Sequence, residues 1–282
     1  MKEVFLFGGD VRYLHLFYVL SEQGVPVRSM GLMQEEPSQT LAECLAWAKV
    51  VLLPVPSVVG DPPFIPLGKE GAGIPLAGFA QNLQMGTTVV TSQPEGVNAA
   101  PLKDACQKVG CQMVNLLESE SFKAGNAVPT AEGAIYHALE NGRRSLAGSA
   151  SMVVGFGQVG RELAKDLVAL GAKVTVSARR PEQMEEIERL GYQPVHSYSL
   201  DQALPVQNFI FNTVPHCLLG EKELRLLRPD ALYIELASIP YGFDKEAAQR
   251  LGIREGIYPG IPGKMFPQTA AQIIYKELKS YL

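Results

Sequence analysis

Ser151-Met152-Val153-Val154-Gly155-Phe156-Gly157-Gln158-Val159-Gly160-Arg161 is the stretch on which the fold turns. Its apolar opening reads as a strand over 151–155. The segment 158–170 after it reads as an amphipathic helix. A second apolar run, 173–178, follows at one helix length, and a second helix follows over 181–190. Glycine is common, so a bare G-x-G-x-x-G means little. Between a strand and a helix, with a further strand behind it, it is the fingerprint of a dinucleotide-binding turn. Each glycine has its own task. Gly155 permits the tight turn, Gly157 lets a pyrophosphate approach the backbone, and Gly160 lets helix and strand pack closely. The free N–H groups at the helix start then face the phosphates. Phe156, Gln158 and Val159 complete the cofactor-facing turn.

Moving downstream, the second strand ends Ser177-Ala178-Arg179-Arg180. An NAD site usually carries a carboxylate there for the adenine ribose. A hydroxyl and two guanidiniums stand in its place. An acid would repel a 2′-phosphate, whereas arginine grips it with paired, charge-assisted bonds. NADP is therefore the expected cofactor. Further strands are expected at 209–212 and 232–236. Asn212-Thr213-Val214-Pro215 and Ala237-Ser238 leave their carboxyl ends, where the nicotinamide side of such a cofactor must lie.

Moving upstream, the chain again alternates strand and helix: Val4–Phe7, a helix with Leu14, Phe17, Tyr18 and Val11 on one face, Val25–Val27, a helix over 41–48, and Val50–Leu53. Six prolines then punctuate the stretch 54–75, which reads as one long irregular loop. The run 87–91, a helix over 99–109 and the run 111–117 follow. Pro129-Thr130 reads as the start of a connector helix, with Ala131, Ala134, Ile135, Ala138 and Leu139 on its apolar stripe. The last segment, 267–282, reads as an amphipathic helix opened by Pro267. The expected class is α/β: two Rossmann-like domains, the first a flavodoxin-like parallel sheet and the second a doubly wound dinucleotide-binding sheet. The expected boundaries are 1–128 for a substrate or partner domain, 129–147 for the connector, 148–266 for the NADP-binding domain and 267–282 for the C-terminal helix.

Composition bounds the rest. At 282 residues, 46% apolar and 19% charged, the chain is long enough for two buried cores. Gly (27) and Pro (20) supply about one residue in six, as many tight turns require. A net charge of −4 gives no basis for a sequence-independent grip on nucleic acid. Cys44, Cys106, Cys111 and Cys217 form no C-x-x-C pair, and no metal site is expected. No run reaches the ~18 apolar residues of a membrane span. The start lacks the features of a secretion signal. A soluble, intracellular protein with reduced thiols is expected.

Several blocks, taken in order, resemble a known family: Gly8-Gly9-Asp10-Val11-Arg12, Asn126-Ala127-Val128-Pro129-Thr130-Ala131-Glu132-Gly133, Gly155–Gly160, Ser177-Ala178-Arg179, Asn212-Thr213-Val214-Pro215, Glu235-Leu236-Ala237-Ser238 and Pro259-Gly260-Ile261-Pro262-Gly263-Lys264. The pattern resembles the larger, dehydrogenase-like (A-type) subunit of the dipicolinate synthase of spore-forming bacteria. The likeness is best in the second half and looser between about residues 34 and 110. It departs at Tyr241-Gly242, where a Gly-Gly pair is expected. The resemblance implies an oxidoreductase that works with the smaller, flavoprotein-like (B-type) subunit of dipicolinate synthase in the mother-cell cytoplasm. It would oxidise dihydrodipicolinate, derived from a lysine-pathway heterocycle, to pyridine-2,6-dicarboxylate during sporulation, with NADP⁺ taking the hydride. By analogy with other two-domain dehydrogenases, a homo-oligomer is expected.

A ring with two carboxylates calls for cations in a partly desolvated cleft. Arg12, Lys123 and Lys264 are the substrate-binding candidates, with His216 as a further donor. Aromatisation of the ring releases one proton, so positioning rather than a strong base supplies most of the rate. Glu132 and His216 are the candidate acceptors. Glu132 alternatively serves as a first-turn carboxylate at its helix N-terminus. Two other readings remain: an NADP-linked dehydrogenase with a different substrate, and a non-catalytic NADP-binding subunit that positions a partner enzyme.

Overall fold

Apolar runs without polar alternation suit strands buried on both faces, as in a parallel sheet between helical layers. Val4–Phe7 (β1) is such a run, with all four residues fully buried. In the computed structural model it forms part of a first α/β unit made of residues 1–123 and 266–282; residues 124–265 form a second. The structure describes residues 1–32, 39–67, 73–92 and 99–282.

The first unit continues with α1 (Val11–Glu22), β2 (Val27–Met30), α2 (Leu41–Trp47), β3 (Val50–Leu52), β4 (Phe64–Pro66), β5 (Gly73–Pro75), α3 (Leu76–Asn82), β6 (Thr88–Thr91), α4 (Ala99–Val109), β7 (Gln112–Asn115) and α5 (Glu120–Asn141), the last running on into the second unit. Five strands pair in parallel in the order β2-β1-β3-β6-β7. This is the flavodoxin-like order. Alternate residues of β1 face opposite layers. Phe5 and Phe7 join Leu45, Phe79 and Leu102 on one side. Val4 and Leu6 join Leu16, Leu20 and the C-terminal helix Pro267–Leu278 on the other. That helix packs along α1 through Ala271, Ile274 and Leu278. Ser119 and Ser121 each donate a hydroxyl hydrogen bond to its Glu277, at 2.7 and 2.5 Å.

Three expectations for this unit change. The buried face of α1 is Tyr13, Leu16 and Leu20, while Val11 and Tyr18 are exposed. Tyr13 is buried because its hydroxyl donates to the Leu53 carbonyl at 2.7 Å, which removes the cost of burying its polar tip. The proline-rich stretch is not wholly irregular: β4 and β5 pair antiparallel, and its residues 68–72 lie outside the described ones. The connector helix begins at Glu120, not Pro129. Ser119 accepts from the Phe122 N–H and caps it. Pro129 sits inside the helix, and Glu132 is therefore not in its first turn.

The second unit comprises β8 (Ala150–Val154), α6 (Gln158–Ala169), β9 (Lys173–Ala178), α7 (Pro181–Arg189), β10 (Gln193–His196), β11 (Phe209–Asn212), α8 (Glu221–Leu224), β12 (Leu232–Glu235), α9 (Lys245–Leu251), β13 (Arg254–Ile257) and α10 (Ile261–Met265). Its six parallel strands run β10-β9-β8-β11-β12-β13. This is the doubly wound dinucleotide-binding order, with its switch point between β8 and β11. The edge strands β10 and β13 escape the sequence pattern because they are short and mostly polar, and β10 contains a proline that only an edge tolerates well. The last turn of α5 is tied to β13. Arg254 donates to the Asn141 carbonyl at 2.5 Å, and the His137 ring stacks on Tyr258 at 3.6 Å. Among the described residues no helix is long and apolar enough to cross a membrane.

This packing can be tested at two points. Tyr13→Phe leaves the Leu53 carbonyl without its buried donor and should lower unfolding free energy by about 1–3 kcal/mol in urea titrations. Arg228 and Arg144 hold the Asp230 carboxyl down to about 2. That lies below the unfolded value of about 3.9, so the pair favours the folded state above that pH and the contribution fades as pH falls toward 2. Arg144→Ala should move the acid-unfolding midpoint to slightly higher pH, followed by circular dichroism.

Candidate functional site

The switch point between β8 and β11 opens a crevice at the strands' carboxyl ends, and the glycine turn lies there. Gly155 has φ of +101°, and a Cβ on it would lie 2.6 Å from both Thr213 Oγ1 and Val214 Cγ2. A Cβ on Gly160 would lie 2.1 Å from the Gly155 carbonyl oxygen. Both glycines are thus demanded by packing. Gly157 is different: a Cβ there meets nothing within 4 Å. It is the N-cap of α6, and no side chain caps that helix. The first turn of α6 therefore ends in open space with backbone donors and a partial positive charge, an anion-binding arrangement.

Phe156 is buried beside this turn, with the Arg161 guanidinium 3.9 Å above its ring. Arg161 also holds Glu186 of α7 through two bonds of 2.5 and 2.8 Å. Gln158 and Val159 open α6, Gln158 exposed and Val159 half-buried. Ser177 is wholly buried. Its hydroxyl accepts the Gly155 N–H at 3.1 Å and a hydroxyl bond from Ser197 at 3.2 Å. It braces the turn from beneath. Arg179 and Arg180, just beyond it, are exposed, and neither has an ion pair among the described residues.

The other half of the crevice is organised by a residue that enters the sequence reading only within the Glu235-Leu236-Ala237-Ser238 block, with no role of its own. Glu235 ends β12 and is fully buried. One carboxylate oxygen accepts from Asn212 Nδ2 at 2.7 Å and the Ala237 N–H at 2.9 Å. The other accepts from the Gly242 N–H at 2.9 Å and the Tyr233 hydroxyl at 3.1 Å. Burial holds its carboxyl above the ordinary range, and these four donors offset only part of that rise. The available signal was a carboxylate closing an otherwise apolar strand. Asn212 in turn grips the Val214 backbone through both N–H and C=O, at 3.2 and 2.9 Å. Thr213 donates its hydroxyl to the Val154 carbonyl at 2.9 Å. Pro215 and Ser238 are exposed at the same edge. At the Tyr241-Gly242 departure, Tyr241 packs toward the Phe243 ring, and a Cβ on Gly242 would come within 2.2 Å of Asn212 Nδ2. The second glycine is the one the packing needs.

The remaining candidates belong to both units. In the first unit, Arg12 is clasped by Asp10, with its Nε and Nη2 donating at 2.7–3.0 Å; Asp10 also caps α1. Lys123 pairs with Glu120 at 2.8 Å. In the second unit, Lys264 is exposed, on the short helix α10 rather than the expected loop, and has no ion pair among the described residues. Glu132 is exposed on α5, and its charge helps raise the carboxyl of Asp166 in α6, behind burial and Glu162. His216 lines a cavity of about 350 Å³ with Ser197, Tyr198, Asp201, Cys217 and Lys222. No hydrogen bond or ion pair joins Glu132 to His216 among the described residues.

Residues 124–238 match the NAD-binding domain family of the D-isomer specific 2-hydroxyacid dehydrogenases. Over 99% of its length the chain is 28% identical to the A-type subunit of dipicolinate synthase of Bacillus subtilis strain 168, covering 95% of that protein. The crystal structure of the A-type dipicolinate synthase subunit from Bacillus halodurans matches with a TM-score of 0.86 at 25% identity, covering 99% of this chain and 97% of that one. Its Bacillus subtilis counterpart matches with 0.85 at 26% identity, covering 99% and 95%. Apo D-lactate dehydrogenase of Escherichia coli shares the fold, with a TM-score of 0.68 at 13% identity, covering 99% and 95%. The chain is thus similar throughout to the A-type subunit of dipicolinate synthase and carries a nicotinamide-dinucleotide-binding domain of dehydrogenase type.

The two kinds of glycine in the turn separate by mutation. Gly157→Ala should leave the thermal midpoint within about 4 °C, since capping by alanine rather than glycine costs under ~1 kcal/mol. It should still weaken dinucleotide binding, measured by calorimetry, by about tenfold or more through its obstruction of the phosphates. Gly160→Ala should lower both.

Proposed function

We propose that this chain oxidises dihydrodipicolinate to pyridine-2,6-dicarboxylate with NADP⁺ as hydride acceptor, together with the flavoprotein-like B-type subunit of dipicolinate synthase, in the mother cell of a sporulating bacterium. The observation that carries this reading is the whole-length likeness to the A-type subunit of that synthase. The glycine turn with its open helix end agrees with it. The exposed Arg179 and Arg180, where an NAD site has a carboxylate, favour the phosphorylated cofactor.

The residues divide the work as follows. The Gly155–Gly160 turn and the N-terminus of α6 hold the diphosphate. Arg179 and Arg180 clasp the 2′-phosphate, and Ser177 keeps the turn in shape from below. Asn212 to Pro215, with Ala237 and Ser238, border the nicotinamide end. The bound nicotinamide supplies the hydride acceptor. Of the cations expected to meet substrate carboxylates, Arg12 and Lys123 already have acidic partners, so Lys264 is the one that gains most from a carboxylate. His216, on the loop leaving β11, is the favoured proton acceptor over Glu132, whose charge is felt by Asp166 in the third turn of α6.

The test combines chemistry and binding. The purified chain, with and without the flavoprotein-like partner, is given the dihydropyridine dicarboxylate, and NADPH formation and pyridine absorbance are followed. Turnover sustains the reading; NADP⁺ binding without turnover in either mixture favours a protein that only positions a partner enzyme. In titrations NADP⁺ should bind at least about tenfold more tightly than NAD⁺. Arg179→Ala should cost about 1–2 kcal/mol of that preference and leave NAD⁺ unchanged. Equal affinity for both in the parent chain overturns the assignment of cofactor. Glu132→Gln should retain turnover, and His216→Gln should lower it.

A further inference from the structure

The carboxylate of Glu235 is fully buried, and every group that reaches it is neutral: two backbone N–H groups, an amide and a phenol. Among the described residues it has no ion pair. The titratable neighbours around it are Tyr233, held neutral by burial, and the thiol of Cys217, which burial and then Asp244, Glu223 and Glu235 itself disfavour as an anion. Three N–H donors and a hydroxyl fit an acceptor-only, ionised carboxylate. They satisfy its lone pairs but do not cancel its charge. An uncompensated buried charge is costly, yet a neutral amide in its place would turn an NH2 group toward two of these donors.

The position of this charge gives it a use. It stands at the carboxyl end of β12, in the half of the sheet beyond the switch point, and holds the loops leaving β11 and β12. The phosphate turn and Arg179 occupy the other half. A dinucleotide anchored there lays its second nucleotide over the β11 and β12 ends. The oxidised nicotinamide ring is a cation, and the reduced ring is neutral.

Resting on the function proposed above, we infer that Glu235 is an electrostatic positioning residue: a fixed negative charge, aimed by neutral donors, that makes this site favour the oxidised, cationic cofactor over the reduced one. The bias suits an enzyme that must take up NADP⁺ and let NADPH go. Glu235 touches no reacting atom; it acts through the loops and through its field.

The readout is binding, not turnover. Dissociation constants of NADP⁺, NADPH and the nicotinamide-free fragment 2′-phospho-ADP-ribose are measured by calorimetry on the parent chain and on Glu235→Gln. The neutral variant should lose about tenfold in affinity for NADP⁺, as expected for one unit charge at a partly screened site. NADPH and the fragment should change by less than about twofold. Equal losses for NADP⁺ and NADPH, or no loss, overturn the inference, since a purely structural role weakens both forms alike. If Glu235→Gln does not fold, the parent chain decides: NADP⁺ binding at least as tightly as NADPH sustains the charge bias, and tighter NADPH binding overturns it. Absence of binding of all three ligands to the folded parent removes the nucleotide reading itself, an outcome distinct from binding without discrimination.

Discussion

The second unit depends on one close approach. The first turn of α6 presses so near the end of β8 that a single methyl group at Gly160 would fall inside the Gly155 carbonyl. Because that contact is backbone on backbone, the helix start is aimed at the crevice with no side chain in the way. Gly155 repeats the constraint on the other side, against Thr213 and Val214. Two missing side chains thus join strand, helix and neighbouring loop into one rigid corner. Between these two tightly held glycines, Gly157 faces open space.

Buried polar groups extend that corner on both sides. Ser177 braces it from the β9 end, and Glu235 gathers the β11 and β12 loops from the other. Such networks work when every member is satisfied. Here the donors on Glu235 come from three separate segments, so the shape of one half of the crevice is set by a single side chain.

Much of this is legible in the order of residues alone. β9 and β11 fall where their apolar runs lie, because strands buried on both faces leave a strong local signal. The glycine fingerprint is legible for the same reason: its meaning depends on near neighbours in sequence. What escapes depends on partners far along the chain. Tyr13 can lie on the buried side of α1 because Leu53, far along the chain, offers its hydroxyl a carbonyl. β10 and β13 exist because a sheet edge accepts polar residues. The start of α5 is set by Ser119, a weaker signal than the proline inside it. Glu235 reads as one more charge at a strand end until its four donors, one of them 23 residues upstream, come together.

The C-terminal helix carries a consequence of its own. Residues 267–278 fill a gap in the helical layer of the unit that holds the N-terminus, and β1 and α1 bury against them. On the ribosome, β1 and α1 are made early and must wait for these late residues before their hydrophobic layer closes, while the contiguous second unit has all of its chain beforehand. The middle of the sequence is free to fold ahead of its beginning. A nonsense codon just ahead of that helix would then damage the opposite end of the polypeptide.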